Sequence, residues 1–284
     1  MTKHRNTQDK ALKLYWWRYD YPSKLNFGDE VTTYIIERIF GNVVEHAEIN
    51  DAQMIGAGSI LEYCDEVHGG SERKIAVWGS GFIQGDSVLK YDSYDFYAIR
   101  GRLSAARITD RSVAVGDPGI MMSYAYPEYY SAVKRYDVGI IPHYVDAKNQ
   151  AVERLRGEKN VLIINPLDTP LEVARQINQC RIIFSSSLHG LIFADSYSVP
   201  NYWTPLSNDL TGGAYKFNDY YSVYGERACE NDLLTSFRNW RTLEEGFVSR
   251  NIGPIQERLI KAFPFSPEVI QIGRREKPGK PSRV

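Results

Sequence analysis

The densest chemistry in the chain lies in Ser185-Ser186-Ser187-Leu188-His189-Gly190. This segment follows the apolar run Arg181 to Phe184 and precedes Leu191-Ile192-Phe193-Ala194, so it reads as a strand running into a helix. A helix N-terminus at that point offers free backbone N–H groups and a positive dipole end to an anion, with serine hydroxyls and an imidazole beside them. Imidazole exchanges a proton near neutrality, which suits general acid or base catalysis at His189. A capping or packing histidine fits the same spacing. The short serines before it and Gly190 behind it leave room for a ligand.

Other candidates also follow apolar runs. Arg100 comes after Tyr97-Ala98-Ile99, where a guanidinium needs a carboxylate or phosphate partner, from a ligand or from within the protein. His143, in Ile141-Pro142-His143-Tyr144, is a second imidazole at a strand end. In Asn26-Phe27-Gly28-Asp29 a carboxylate stands at a strand-to-helix junction, where Asp29 also suits an N-cap. Gly56-Ala57-Gly58-Ser59 and Gly79-Ser80-Gly81 are tight turns whose backbone N–H groups can approach a ligand. After Gly212-Gly213, the segment Lys216-Phe217-Asn218-Asp219-Tyr220-Tyr221 offers a cation, a carboxylate and two tyrosines, and reads as a mobile loop or the start of a surface helix.

These residues need a scaffold that gathers strand ends. Apolar runs at Leu12 to Trp17, Gln53 to Ile55, Lys74 to Trp78, Asp95 to Ile99, Tyr136 to Ile141, Val161 to Asn165, Arg181 to Phe184 and Val199 to Trp203 read as strands. Asp29 to Phe40, Ala147 to Arg156, Leu171 to Gln179 and Leu188 to Ser198 read as helices, and a further one starts near Arg102. Alternating strands and helices imply an α/β fold with parallel sheets, whose ligands bind beyond the carboxyl ends of the strands. Two Rossmann-like lobes facing a cleft are expected, at 11–130 and 135–265. They meet near the Tyr/Pro-rich stretch Tyr124 to Arg135.

The 284 residues are 43% hydrophobic and 24% charged, the balance of a soluble globular protein. A net charge of -1 provides no global attraction for nucleic acid. The tail at 273–284 carries Arg274, Arg275, Lys277, Lys280 and Arg283 against Glu276, hence +4, which leaves -5 for the remainder. Such a tail is solvated or brushes an anionic membrane surface. Three cysteines without C-x-x-C spacing, a polar N-terminus and the absence of an apolar run near ~20 residues point to a soluble cytoplasmic protein. Neither H-E-x-x-H nor D-x-D occurs, so no metal is expected. Tyrosine supplies 20 of the aromatic residues, a side chain suited to polar ring-shaped ligands.

Taken in order, Asn-Phe-Gly-Asp (26–29), Gly-Ala-Gly-Ser (56–59), Trp-Gly-Ser-Gly (78–81), Ala-Ile-Arg-Gly (98–101), Gly-Asp-Pro-Gly (116–119), Ile-Pro-His (141–143), Ser-Ser-Ser-Leu-His-Gly-Leu-Ile (185–192) and Lys-Phe-Asn-Asp-Tyr-Tyr (216–221) resemble the polysaccharide pyruvyl transferase family. The resemblance is strongest to its short branch, the ketal-pyruvate transferases of bacterial exopolysaccharide synthesis such as the xanthan enzyme. It implies a fold similar to GT-B glycosyltransferases. The implied reaction moves the enolpyruvyl group of phosphoenolpyruvate onto two hydroxyls of a sugar in an exopolysaccharide or capsule repeat unit, giving a cyclic pyruvate ketal and phosphate. It carries the acid–base role to His189. It also implies phosphoenolpyruvate contacts at Arg100, Ser186, Ser187, His143 and Lys216, and a cleft lined on the acceptor side by Asn26, Asp29, Gly58, Ser59, Ser80, Tyr220 and Tyr221. Phosphoenolpyruvate is then a donor substrate and no separate cofactor is implied. A lipid-linked acceptor would place the protein at the inner membrane face, in peripheral contact through the tail. Many longer members have Arg where this chain has Ser187, leaving His143, Lys216 or Arg227 as the replacement cation. A nucleotide-sugar glycosyltransferase and a non-catalytic glycan-binding relative are the competing readings, and no oligomeric state is implied.

Overall fold

All eight apolar runs form strands, and two short segments join them. The computed structural model describes residues 11–18, 26–85, 89, 91–108, 112–131, 133–207 and 211–265. The basic tail at 273–284, with its expected membrane contact, lies outside the described residues. Strands β1 (Leu12–Tyr15), β2 (Val44–His46), β3 (Met54–Ile55), β4 (Ile75–Trp78), β5 (Tyr94–Ile99) and β6 (Ala114–Val115) make a parallel sheet in the order β2-β1-β3-β4-β5-β6. Strands β7 (Tyr136–Ile141), β8 (Val161–Ile163), β9 (Cys180–Ser185) and β10 (Asn201–Trp203) make a second parallel sheet in the order β10-β9-β7-β8. The unanticipated strands, β2 and β6, are edge strands. With three residues and two, neither is long enough to show a hydrophobic period.

The helices are α1 (Phe27–Phe40), α2 (Leu61–His68), α3 (Arg102–Ala105), α4 (Met122–Ala125), α5 (Gln150–Leu155), α6 (Pro170–Asn178), α7 (Leu188–Ser196), α8 (Tyr215–Tyr221), α9 (Leu233–Arg238), α10 (Trp240–Glu245) and α11 (Gly253–Lys261). The start of α1 differs from the expectation in a way that matters. Asn26 is its cap, the side-chain oxygen accepting from Gly28 N at 3.0 Å. Asp29 therefore sits in the first turn, free of capping, and Gly41 at φ 74° ends the helix. Helix α5 starts at Gln150 and not at Ala147 because Asn149 caps it, accepting from Ala151 N at 2.8 Å.

Helix α7 is buried at every position, which suits an element enclosed on all sides. One apolar cluster joins Leu14, Trp78 and Ala98 of the first sheet to Ile141 and Ile183 of the second, through Val31 and Ile35 of α1 and Leu191 and Phe193 of α7. Burying each of the Leu, Val, Ile and Phe side chains among them contributes about 1.5–3 kcal/mol. From the far end of the chain, α11 returns to the first sheet, where Trp78 Nε1 donates to Leu259 O at 3.0 Å. The carboxyl ends of β1, β3, β4, β7 and β9 therefore open toward one region. Among the described residues no helix is long and apolar enough to cross a membrane.

Candidate active site

At those strand ends lies a cavity of about 560 Å³. Of the expected site residues, Asn26, Asp29, Gly58, Ser59, His143, Ser187, His189 and Lys216 line it. The first half of the chain also contributes Trp17, Glu62, Tyr63 and Glu66, and the second half Tyr144 and Thr211. Three of these unanticipated residues sit on α2, whose short acidic sequence gave no clear helical period.

His189 is fixed from two sides. A β-carbon on Gly28 would lie 2.1 Å from His189 Nδ1, so only the bare glycine lets the first turn of α1 pack against the ring. On the other side Nε2 faces Asp117 Oδ2 at 3.7 Å. That is an ion-pair separation, too long for a hydrogen bond. Among the described residues neither atom has a hydrogen-bond partner, while Asp117 Oδ1 accepts from Gly119 N at 2.8 Å. A buried carboxylate oxygen aimed at an unpartnered ring nitrogen favours the tautomer with hydrogen on Nε2, leaving Nδ1 as the exchanging atom. Asp117 was visible in the sequence only as part of Gly-Asp-Pro-Gly. The strand before it, β6, was too short to mark it as a strand-end residue.

Gly28→Ala is expected to displace the His189 ring and lower turnover about 10²-fold, the scale of a 1 Å misplacement, at a stability cost of about 1–3 kcal/mol. Steady-state rates measured beside thermal melts check this. An alanine variant with wild-type turnover would mean that the ring position is unimportant.

The charges around the cavity are unevenly matched. Lys216 is buried and has no ion-pair partner among the described residues; burial and the nearby Arg100 push its pKa down to about 8, against the pull of Asp29 and Asp146. Burial pushes Asp29 up to about 6, opposed by His189 and Lys216 and assisted by Asp117. His143 is pushed down to about 3 by burial, Lys216 and His189. Its Nδ1 accepts from Val145 N at 3.4 Å, so the neutral ring carries its proton on Nε2. His143 is thus a neutral hydrogen-bond donor, leaving Lys216 as the cation at this end. Arg227 is exposed and does not line the cavity.

The serines divide their tasks. Ser186 Oγ accepts from His143 N at 2.8 Å and donates to Asp146 Oδ2 at 2.8 Å, which fixes the His143 segment and commits the hydroxyl away from the cavity. Ser187 lines the cavity at the N-cap of α7 without making a side-chain cap bond, next to the first-turn N–H groups of that helix, which have no partner within the helix.

Besides Ser186, four expected contacts lie away from the cavity. Arg100 is fully buried, donating from Nε to Asp219 Oδ2 at 2.9 Å, from Nη2 to Phe82 O at 2.5 Å and from Nη1 to Ser59 Oγ. Asp219 also accepts from Ser104 N at 2.8 Å and Ser104 Oγ at 2.6 Å. The guanidinium is therefore enclosed in an internal network behind the cavity; a β-carbon on Gly81 would lie 2.5 Å from its Cζ, so the glycine turn closes directly over it. Ser80 Oγ donates to Gly58 O at 2.9 Å, tying two glycine turns together. Tyr220 donates its hydroxyl to Asp195 Oδ2 at 2.7 Å, and the Tyr221 ring lies 4.6 Å from the Arg250 guanidinium. Both tyrosines are buried, because Lys216 to Tyr221 belongs to α8, a packed helix and neither a loop nor a surface element.

Among the described residues no group of three or more His, Cys, Asp or Glu is arranged to hold a metal ion. A sequence model of the family described as polysaccharide pyruvyl transferase matches residues 26–208. The chain is 27% identical over 256 residues to an uncharacterized protein of Acanthamoeba polyphaga mimivirus, covering 84% of this chain and 86% of that one. It is 26% identical over 217 residues to the succinoglycan biosynthesis protein ExoV of Rhizobium meliloti, covering 75% of this chain and 65% of the relative. A crystal structure of an uncharacterized Klebsiella pneumoniae protein is similar at a TM-score of 0.42 and 13% identity, over 78% of this chain and 93% of that one.

Proposed function

The chain belongs to the polysaccharide pyruvyl transferase family, and from that premise we propose that it transfers the enolpyruvyl group of phosphoenolpyruvate to two hydroxyls of a sugar in a polysaccharide repeat unit. The observation that carries the proposal is the grouping at one end of the cavity: a buried lysine, the start of α7, a neutral imidazole donor and the Asp117-held His189. A small dianion with a carboxylate and a phosphate matches this set of donors. Lys216 and the α7 N–H groups bind the phosphate, and His143 Nε2–H and Ser187 complete the cradle.

The chemistry needs one proton delivered and two removed. His189 protonates the methylene carbon of phosphoenolpyruvate, and positive charge develops on C2. One sugar hydroxyl attacks C2 as Asp29 takes its proton. The C2–O bond to phosphate then breaks, phosphate leaves with the electron pair, and the second hydroxyl attacks C2. Its proton departs with the phosphate, and the proton held by Asp29 returns through solvent to His189, so donor and sugar yield the cyclic ketal and inorganic phosphate with both side chains restored. Asp117 holds the His189 ring, and the Arg100–Asp219 pair supports the wall behind Ser59. The two parallel sheets suit a GT-B-like pairing, and three free cysteines suit a reducing cytoplasm with a lipid-linked acceptor at the inner membrane face.

The pH profile follows from the two charged groups. As a base Asp29 must be ionised, so kcat/KM falls below about pH 6. As a phosphate-binding cation Lys216 must be protonated, so kcat/KM for phosphoenolpyruvate falls above about pH 8. Lys216→Arg keeps its charge at every accessible pH and is expected to move the alkaline limb upward. An unmoved limb in that variant excludes Lys216 from donor binding. Calorimetric titration with phosphoenolpyruvate and with uridine diphosphate tests the reading as a whole. Binding of the nucleotide alone would favour a glycosyltransferase.

A further inference from the structure

The donor leaves much of the cavity empty. Phosphoenolpyruvate has about ten heavy atoms, and even at roughly 30 Å³ each, the share of a liquid water, they fill little more than half of the 560 Å³. The remaining space differs in character from the donor end. It is walled by Trp17 and Tyr63, whose rings meet edge to face at 5.0 Å, and by Glu66 one helical turn beyond Glu62 on α2. Tyr63 is 42% exposed and lies on the cavity wall, with Tyr15 stacked beside it at 6.4 Å. Glu62 is engaged by Ile83 N at 2.8 Å and Gln84 N at 3.0 Å, so it braces the wall. Glu66 adds negative charge at the rim.

Resting on the pyruvyl transferase reading, we propose that Trp17, Tyr63 and Glu66 form the acceptor subsite and that it takes an uncharged hexopyranose, the ring lying with its C–H face on Tyr63. An aromatic face presents apolar area to the C–H side of a sugar at little entropic cost, while carboxylates accept hydrogen bonds from its hydroxyls. The acidic rim repels a second anion. It holds the anionic donor at the Lys216 end and disfavours a uronic acid as acceptor. Asp29 lines the same cavity within the field of His189 and Lys216, so a hydroxyl of the stacked sugar that it deprotonates is one that meets C2 of the donor.

The subsite is tested without turnover. Saturation-transfer NMR is recorded on methyl hexopyranosides (gluco, galacto and manno) and on methyl glucuronide with the full-length protein and no phosphoenolpyruvate. Transfer to the C–H protons of one ring face of at least one neutral hexoside is expected. It should be lost in Tyr63→Ala and kept in Tyr63→Phe, with the glucuronide weaker in wild type and recovering in Glu66→Gln. With an acceptor that turns over, Tyr63→Ala should raise its KM about tenfold and leave the Kd for phosphoenolpyruvate unchanged. No transfer from wild type, equal transfer from Tyr63→Ala, or preference for the glucuronide would each overturn the subsite. Donor chemistry is read separately: a wild type that binds hexosides in this way but releases no phosphate from phosphoenolpyruvate contradicts the transferase reading, and one that releases phosphate with Tyr63→Ala unaffected contradicts only the subsite.

Discussion

His189→Ala is expected to lower kcat about 10³-fold or more while leaving the protein folded. The size follows from the role: a positioned proton donor contributes roughly 10² to 10⁴ to a rate, and protonation of the methylene carbon is the step from which the rest proceeds. The fold should survive because the side chain stands at the cavity surface and its ion-pair contact to Asp117, at 3.7 Å, is long. Donor affinity should change little, since Lys216 and the start of α7 remain. Steady-state kinetics with phosphoenolpyruvate, run beside a thermal melt, reads both quantities. A folded variant that retained wild-type phosphate release would remove His189 from the mechanism.

The second large effect is structural. Arg100→Ala is expected to destabilise the protein by about 3–5 kcal/mol, because it strands Asp219 as a buried charge with no counterion. The two side chains are 1% and 0% exposed, so no solvent compensates. In a chain of this size each kcal/mol moves the melting midpoint by roughly 2–4 °C, so a fall of about 10 °C is anticipated. Replacing both partners, Arg100→Met with Asp219→Leu, should recover part of the loss, since the uncompensated charge is then gone. Phosphoenolpyruvate affinity of the folded protein should be nearly unchanged in the paired variant. Normal stability with weakened donor binding in Arg100→Ala would instead place the guanidinium in the cavity.

Arg100 also shows where sequence reasoning reaches its limit. An arginine leaving an apolar strand announces that it needs a partner. The choice between an external anion and an internal carboxylate depended on Asp219, 119 positions away. Long runs such as Tyr136 to Ile141 and the Asn26-Phe27-Gly28-Asp29 junction were legible because hydrophobic period and capping are local properties. The cavity residues His143, Ser187, His189 and Asp29 are legible because parallel sheets gather ligand-facing groups at strand ends. Tyr220 and Tyr221 misled because polar aromatic composition resembles a surface loop, whereas their ring faces pack in the core and the Tyr220 hydroxyl is satisfied by Asp195. Trp17, Tyr63 and Glu66 carry no motif; only the placement of α2 and of the segment after β1 beside the cavity reveals them. The Asp117 partnership with His189 likewise joins segments 72 positions apart and could not be read from spacing.

The stoichiometry of a single reaction decides most directly whether the chain forms a pyruvate ketal. Purified protein is incubated with phosphoenolpyruvate and a sugar acceptor drawn from neutral hexosides and lipid-linked oligosaccharides. Released phosphate is quantified against acceptor that has gained the mass of pyruvate less one water. Transfer to two hydroxyls requires one phosphate per ketal, with a quaternary ketal carbon in the product NMR spectrum and no product from His189→Ala. Phosphate release without acceptor modification, or an acceptor bearing a glycosyl group from a nucleotide sugar in its place, would contradict it.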